Sequence, residues 1–366
     1  MSDPQTPKTK PPIVEVDVVS KTTFAAAQNA VPIIKRLRVS NETESSFTDL
    51  RLTLTPHPPF CRSKEWAIDR VLPGESIEIS ARQVTLDFAV LDRLNEAEHG
   101  QMVFRLLSQD HVLDEQTLPI ELLARDEWGG SGEMAQILAA FVSPNHPAVA
   151  SILKEATRIL ERGGHKGALD GYQSRDPRRA FMLAAAIWSA VSGMGIAYAE
   201  PPRSFESNGQ KIRDPGAIAD TGLATCLDTT LLLAAAFEAA GLNPVVVFTR
   251  GHAFVGVWFV DKTFPLTIQS DVMEVRKSVA AKEFAVIETT LLTHRPAISF
   301  KQAMANGDAQ LSEDAEKPFH MAIDIARARA AKIRPIGSEL DRAAGRIGEL
   351  QLPDGFADGG VAGRGR

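Results

Sequence analysis

The sequence predicts an α+β fold in two unequal parts, and three observations lead there. Residues 12 to about 124 hold short, alternating, β-branched runs separated by turn residues, with little helical period. From 132 onward the period becomes helical, in Ala- and Leu-rich stretches bounded by caps and prolines. Within this second part a cysteine, a long apolar helix and a histidine-bearing strand follow one another at 221–261, TGLATCLDTTLLLAAAFEAAGLNPVVVFTRGHAFVGVWFVD.

Composition fits this division. A chain of 366 residues, 44% hydrophobic and 23% charged, can bury two cores. Its net charge of -6 argues against a general nucleic-acid-binding surface. The only two cysteines, Cys61 and Cys226, lie far apart, no apolar leader follows Met1, and no apolar run reaches membrane length. A reducing cytoplasm without disulfides, and no membrane, is therefore expected. There is no HExxH, paired CxxC, Walker GxxxxGK[ST] or GxGxxG pattern, so no metal or nucleotide cofactor is expected.

In chain order, residues 1–11 are polar and Pro-rich and read as a loose leader. The runs IVEVDVV, IIKRLRV, FTDLRLTLT, SIEISAR, QMVFRLLS and TLPIELLA follow, and several alternate strictly, as in Ile34, Lys35, Arg36, Leu37, Arg38, Val39. Strands at this spacing predict an immunoglobulin-like antiparallel β-sandwich over 12–126, although the Cys-Trp-Cys hallmark is missing and Cys61 and Trp66 read as packing residues. The composition break DEWGGSG at 126–132 predicts the domain boundary, with a protease-stable fragment beginning near Met134.

Helices are expected at 134–142 and 148–161, divided by Ser-Pro-Asn-His-Pro with His146 in the turn. Another should start at Pro177 behind an Asp176 cap and run to about Gly193. A long irregular connection at 198–215 precedes the cysteine helix, whose Leu/Ala body over 227–240 stops at Gly241 and Pro244. Two strands follow, at 245–249 and 253–260, with His252 opening the second. Alternation puts His252, Phe254, Gly256 and Trp258 on one face and Ala253, Val255, Val257 and Phe259 on the other. A charged helix at 270–284, with Asp271 as N-cap and Glu274 closing a capping box, separates them from a strand FAVIETTLL at 284–292. Arg327, Arg329, Lys332 and Arg334 read as the solvated C-terminal end of a helix, and 341–366 as a helical end and disordered tail.

The chemistry-bearing residues are Cys226, His252 and an acid. Cys226 falls at a helix N-terminus, where free N–H groups and the macrodipole favour a thiolate, and a facing imidazole completes a thiolate–imidazolium pair. Glu288, among apolar neighbours, needs a partner, and orienting an imidazole would supply one. Asp271 is the alternative acid, although capping already accounts for it. Gln210 is a candidate oxyanion donor. The competing reading makes Cys226 and His252 buried structural residues.

Residues 128 to about 336 also resemble a known family. WGG at 128, AAFVSPNHPAV at 139, GYQ at 171, PPRSFESNGQKIR at 201, TCLD at 225, EAAGLNP at 238, GHAFVGVW at 251, IETTLLT at 287 and AIDIARAR at 322 carry the likeness. They resemble the transglutaminase-like domain, related to the papain-like cysteine-protease fold, at the N-terminal end of very large bacterial helicase–nuclease proteins assigned to defence systems. The resemblance implies such a domain over 132–340, with Cys226 as nucleophile and His252 as base. It makes Glu288 the orienting acid, where the wider fold often has Asp before Pro-Thr, and it gives Gln210 the place of the papain-like oxyanion glutamine. It implies a protein or peptide substrate and a helicase or nuclease partner. Three activities stay open: hydrolysis of peptide or isopeptide bonds, acyl transfer to an amine, and a catalytically silent interaction module.

Overall fold

The computed structural model is of mixed α and β architecture and describes residues 11–314 and 318–337. The expected leader, apart from residue 11, and the expected end and tail at 341–366 lie outside the described residues.

The first part is built of two sheets facing one core. In one, Ile34–Ser40 lies between Ile13–Val18 and Ser76–Glu78, all antiparallel. The other runs Lys21–Thr22, His111–Leu122, Glu98–Ser108, Phe47–His57, Lys64–Val71, antiparallel except where the short first strand joins it. Period-two alternation sends Leu50, Leu52 and Leu54 inward, where register sets Leu52 against Leu106 and Leu54 against Phe104. Val14, Leu37 and Val39 meet them from the facing sheet, and Cys61 and Trp66 pack in the same core. The strand Lys64–Val71 has no counterpart among the sequence-predicted runs, because its inward residues Trp66, Ile68 and Val71 stand among charges that disguise the alternation.

In the second part the helix Cys226–Ala239 is the axis. It is apolar on every side, as a helix buried all round must be. Helices Pro147–Arg162 and Pro177–Ser192 pack on it, started by His146 and Asp176 caps with a proline in the first turn of each. A five-stranded antiparallel sheet covers its other side in the order Ile268–Gln269, Phe319–Asp324, Pro244–Thr249, His252–Trp258, Phe284–Ile287. Ala253, Val255 and Val257 face the helix core, whereas Phe254 and Trp258 join a separate cluster with Phe264 and Phe284.

Three expectations change here. The segment expected as a helix at 134–142 is a 3-10 helix, Ala135–Phe141, with no side-chain cap to start a longer one and nearly every side chain buried. The run MAIDIARARAAKIRPI, whose basic residues read as a helix end, is not helical throughout: MAID forms the end of the strand Phe319–Asp324, and only Ile325–Ala330 is helix. Nor is the basic cluster simply solvated. Arg329 forks onto Glu238 at 2.8 and 3.0 Å and donates to the carbonyls of Ala139 and Val142, while Arg327 Nε donates to the Phe264 carbonyl.

Residues 126–132 form a seam between the parts. Glu127–Trp128 pairs with Gln210–Lys211, and Trp128, wholly buried, stacks on Phe248 at 5.4 Å. Two glycines permit the crossing: Gly130 and Gly209 both have φ of 91°, and a Cβ on Gly209 would stand 1.9 Å from the Trp128 carbonyl oxygen. The core itself crosses the seam, since Ala25, Ala26 and Leu123 pack with Trp128 and Leu138.

Candidate active site

Cys226 is the first residue of its helix, and the N-terminus is built to hold it there. Thr225 caps the helix through a capping box: its hydroxyl accepts from the Asp228 N–H at 3.2 Å, and the Asp228 carboxylate accepts from the Thr225 N–H at 2.8 Å. Asp228 is completely buried and is satisfied by the Arg213 guanidinium at 3.0 Å and the Arg213 N–H at 2.9 Å. The first-turn N–H groups of Cys226 and Leu227 have no intrahelical acceptor, so the positive end of the helix lies at the cysteine.

His252 enters its strand from a tight turn at Arg250 and Gly251, where Gly251 takes a φ of 67°. Being the first strand residue, it can turn its ring over the sheet end toward the cysteine helix. Glu288 lies one residue beyond the strand expected to contain it: the strand ends at Ile287, and Glu288 caps the 3-10 helix Thr289–Thr293. Glu288 Oε1 accepts from the Thr290 N–H at 3.0 Å and the Thr290 hydroxyl at 2.7 Å, and Oε2 meets His252 Nε2 at 2.7 Å. With Nε2 so engaged, Nδ1 is the ring nitrogen left open, and Cys226 is among the neighbours that raise the basicity of the ring.

Electrostatics follow from this placement. Burial alone would lower the basicity of His252, but the hydrogen bonds to Cys226 and Glu288 and the Glu288 charge outweigh it and raise its pKa to about 9. Burial likewise pushes the Glu288 carboxyl upward, and the bonds and charge of His252 reverse this, leaving it below the usual carboxylate range. The pair is therefore imidazolium and carboxylate at neutral pH.

Two features beside these residues have no counterpart in the sequence reading. Beneath Cys226, three fully buried hydroxyls form a knot: Thr230 and Thr229 donate to the Cys226 carbonyl at 2.7 and 3.0 Å, and each lies 3.1 Å from the Thr289 hydroxyl. This ties the cysteine turn to the turn that carries Glu288. Above it, Ala197–Tyr198 pairs in parallel with Leu223–Ala224 and brings the Tyr198 phenol near enough to Cys226 to feel its charge. Burial, first, and then the Cys226 and Glu200 charges push the phenol pKa upward. Cys226 has 0% exposure, whereas Tyr198 keeps 37%, so the tyrosine roofs the thiol. The T-x-x-D spacing of the capping box was readable from sequence; the knot and the roof are tertiary.

The remaining candidates separate. Gln210 is buried beside the site and donates its amide to the Thr225 hydroxyl at 3.1 Å. Asp271 is elsewhere in its bonding: it caps Val272–Ala280 by accepting from the Met273 N–H at 2.8 Å. The expected capping box is absent there, because Glu274 pairs with Lys277 instead. Among the described residues no group of three or more His, Cys, Asp or Glu could hold a metal ion, and no helix is long and apolar enough to cross a membrane. A cleft of about 1310 Å³ runs along the seam past Gln210 and Thr225. No family model and no curated protein matches the chain.

Proposed function

We propose that the chain is a thiol enzyme that attacks a carbonyl carbon, with Cys226 as nucleophile, His252 as proton carrier and Glu288 as the acid that orients it. The observation that carries this reading is the buried 2.7 Å bond between His252 Nε2 and Glu288 Oε2, which leaves Nδ1 open on a ring whose basicity Cys226 helps to raise. The carboxylate fixes the ring and stabilises its charged form. Cys226 Sγ bonds to the carbonyl carbon, and the free N–H groups of the helix's first turn stabilise the oxyanion. His252 gives its proton to the departing amine. Water then loses a proton to His252, breaks the thioester and releases a carboxylic acid; an amine in place of water gives transfer.

On this reading, hydrolysis of a peptide or isopeptide bond is the activity, on a transglutaminase-like, papain-related domain at 132–340. The two-sheet part serves as an immunoglobulin-like docking module, and a cytoplasmic defence system with a helicase or nuclease partner is the setting. A second reading, a catalytically silent module, is favoured by one observation, the complete burial of Cys226 under Tyr198.

A peptidyl electrophile separates the two, and Cys61 is the internal control because burial pushes its pKa up to about 12. Peptide mapping after labelling should find Cys226 modified at least about 100-fold faster than Cys61, with the preference lost in His252→Ala. Equal labelling of the two cysteines would establish the silent module.

A further inference from the structure

The cleft along the seam has a consistent chemistry. Its three cations are each neutralised within the protein: Arg125 by Asp92 at 2.7 Å, Lys211 by Glu96, and Arg213 by Asp228 at 3.0 Å. On the same walls Glu200 and Asp220 are exposed and, among the described residues, form no ion pair, whereas Asp126 shares the charge of Lys211 and Arg125. Gln210 adds an independent observation. The residue lines the cleft, is 4% exposed and has its Nε2 bound to Thr225, but its Oε1 is buried and, among the described residues, has no hydrogen-bond partner. An unmet buried acceptor is costly until a donor arrives. These unpaired groups on the wall are thus all acceptors.

From this we infer that the cleft is the substrate channel and takes a polypeptide segment bearing Lys or Arg, whose cations meet Glu200 and Asp220 while a donor on the segment satisfies Gln210 Oε1. The inference rests on the thiol-enzyme reading for the word substrate, since the channel passes Thr225, the residue before Cys226. A volume of about 1310 Å³ exceeds the range of about 300–1,000 Å³ usual for small-molecule pockets, which favours a chain segment. The positive charge comes from the field: uncompensated carboxylates in a cleft concentrate cations there.

The test uses the full chain carrying Cys226→Ala and fluorescence anisotropy with short labelled Gly/Ser peptides, one series with interspersed Lys and one with Glu. The Lys peptide should bind at least about tenfold tighter than the Glu peptide, more weakly as salt rises. Glu200→Gln combined with Asp220→Asn should remove most of that difference, with melting curves confirming the fold. Gln210→Leu, which lacks the acceptor, should weaken the Lys peptide several-fold without restoring the Glu peptide. Equal binding of the two peptides, or none, overturns the inference, as does displacement by free spermidine at the concentration at which the unlabelled Lys peptide acts. Separate labelling of unmodified Cys226 by the peptidyl electrophile keeps the two failures apart. A reactive thiol beside an indifferent cleft sinks only the channel, whereas a Lys-selective cleft beside an inert thiol sinks only the enzyme.

Discussion

Charge at a single imidazole carries the strongest pH prediction. The pKa of His252 rises from 6.5 in the unfolded chain to about 9 in the fold, so its ionic contacts stabilise the protein fully below 6.5 and that contribution is lost as pH climbs through 9. Glu288 has the opposite sign: its depressed value contributes stability above 4.5 that is lost as pH falls through its folded pKa. The melting-temperature difference between the natural chain and His252→Gln should therefore shrink as pH rises from 6.5 to 9; a constant difference would show that His252 does not titrate in that window. Glu288→Gln should cut thiol reactivity by about 100-fold or more, whereas Asp271→Asn should cost only a cap, about 1 kcal/mol or less. Tyr198→Ala should quicken alkylation of Cys226 by unroofing it, and an unchanged rate would mean that something else limits access. Residue types and order exposed Cys226, His252 and Glu288 in the sequence. Tyr198 stayed hidden, because its role comes from a two-residue strand pairing that no local period announces.

Among the elements, the hydroxyl knot joins the cysteine helix to the turn after Ile287. Thr289→Val keeps the shape and removes one hydroxyl shared by Thr229 and Thr230. It should cost about 1–2 kcal/mol in chemical denaturation and slow the thiol by loosening Glu288 against Cys226. Full reactivity in that variant would reduce the knot to packing. The long apolar helix was legible because Leu and Ala fill it without Gly or Pro, and the period-two strands because their alternation is strict. Phe319–Asp324 was not, since MAID runs without a break into the helical ARARA and only pairing with Pro244–Thr249 and Ile268–Gln269 makes it a strand, which stops where Asp324 caps the helix. Glu288 was read as a strand residue for a similar reason: its Thr-rich surroundings favour strand, but its carboxylate caps a turn.

At the scale of the whole molecule, contacts across the seam tie the two parts together. Lys21 donates to the Asn208 carbonyl at 3.2 Å, Gln28 to that of Pro335 at 2.9 Å and Lys211 to that of Asn95 at 2.7 Å, while Trp128 is buried beyond the point at which the sequence changes character. The composition break at 126–132 was visible, but its glycines mark a close backbone crossing rather than a loose linker. Calorimetry should accordingly give one unfolding transition, and a protease-stable fragment starting near Met134 would contradict this. Gly209→Ala, which drives a Cβ into the Trp128 carbonyl, should lower stability by about 3 kcal/mol in both parts together. The central claim, that Cys226 is activated by an imidazolium held by Glu288, is tested most directly by the pH dependence of Cys226 alkylation with iodoacetamide in the natural chain, His252→Ala and Glu288→Gln. The account predicts a natural chain already reactive at neutral pH, with its rate changing again near 9 as His252 deprotonates, and variants that react slowly there. Superimposable profiles for all three chains would contradict it.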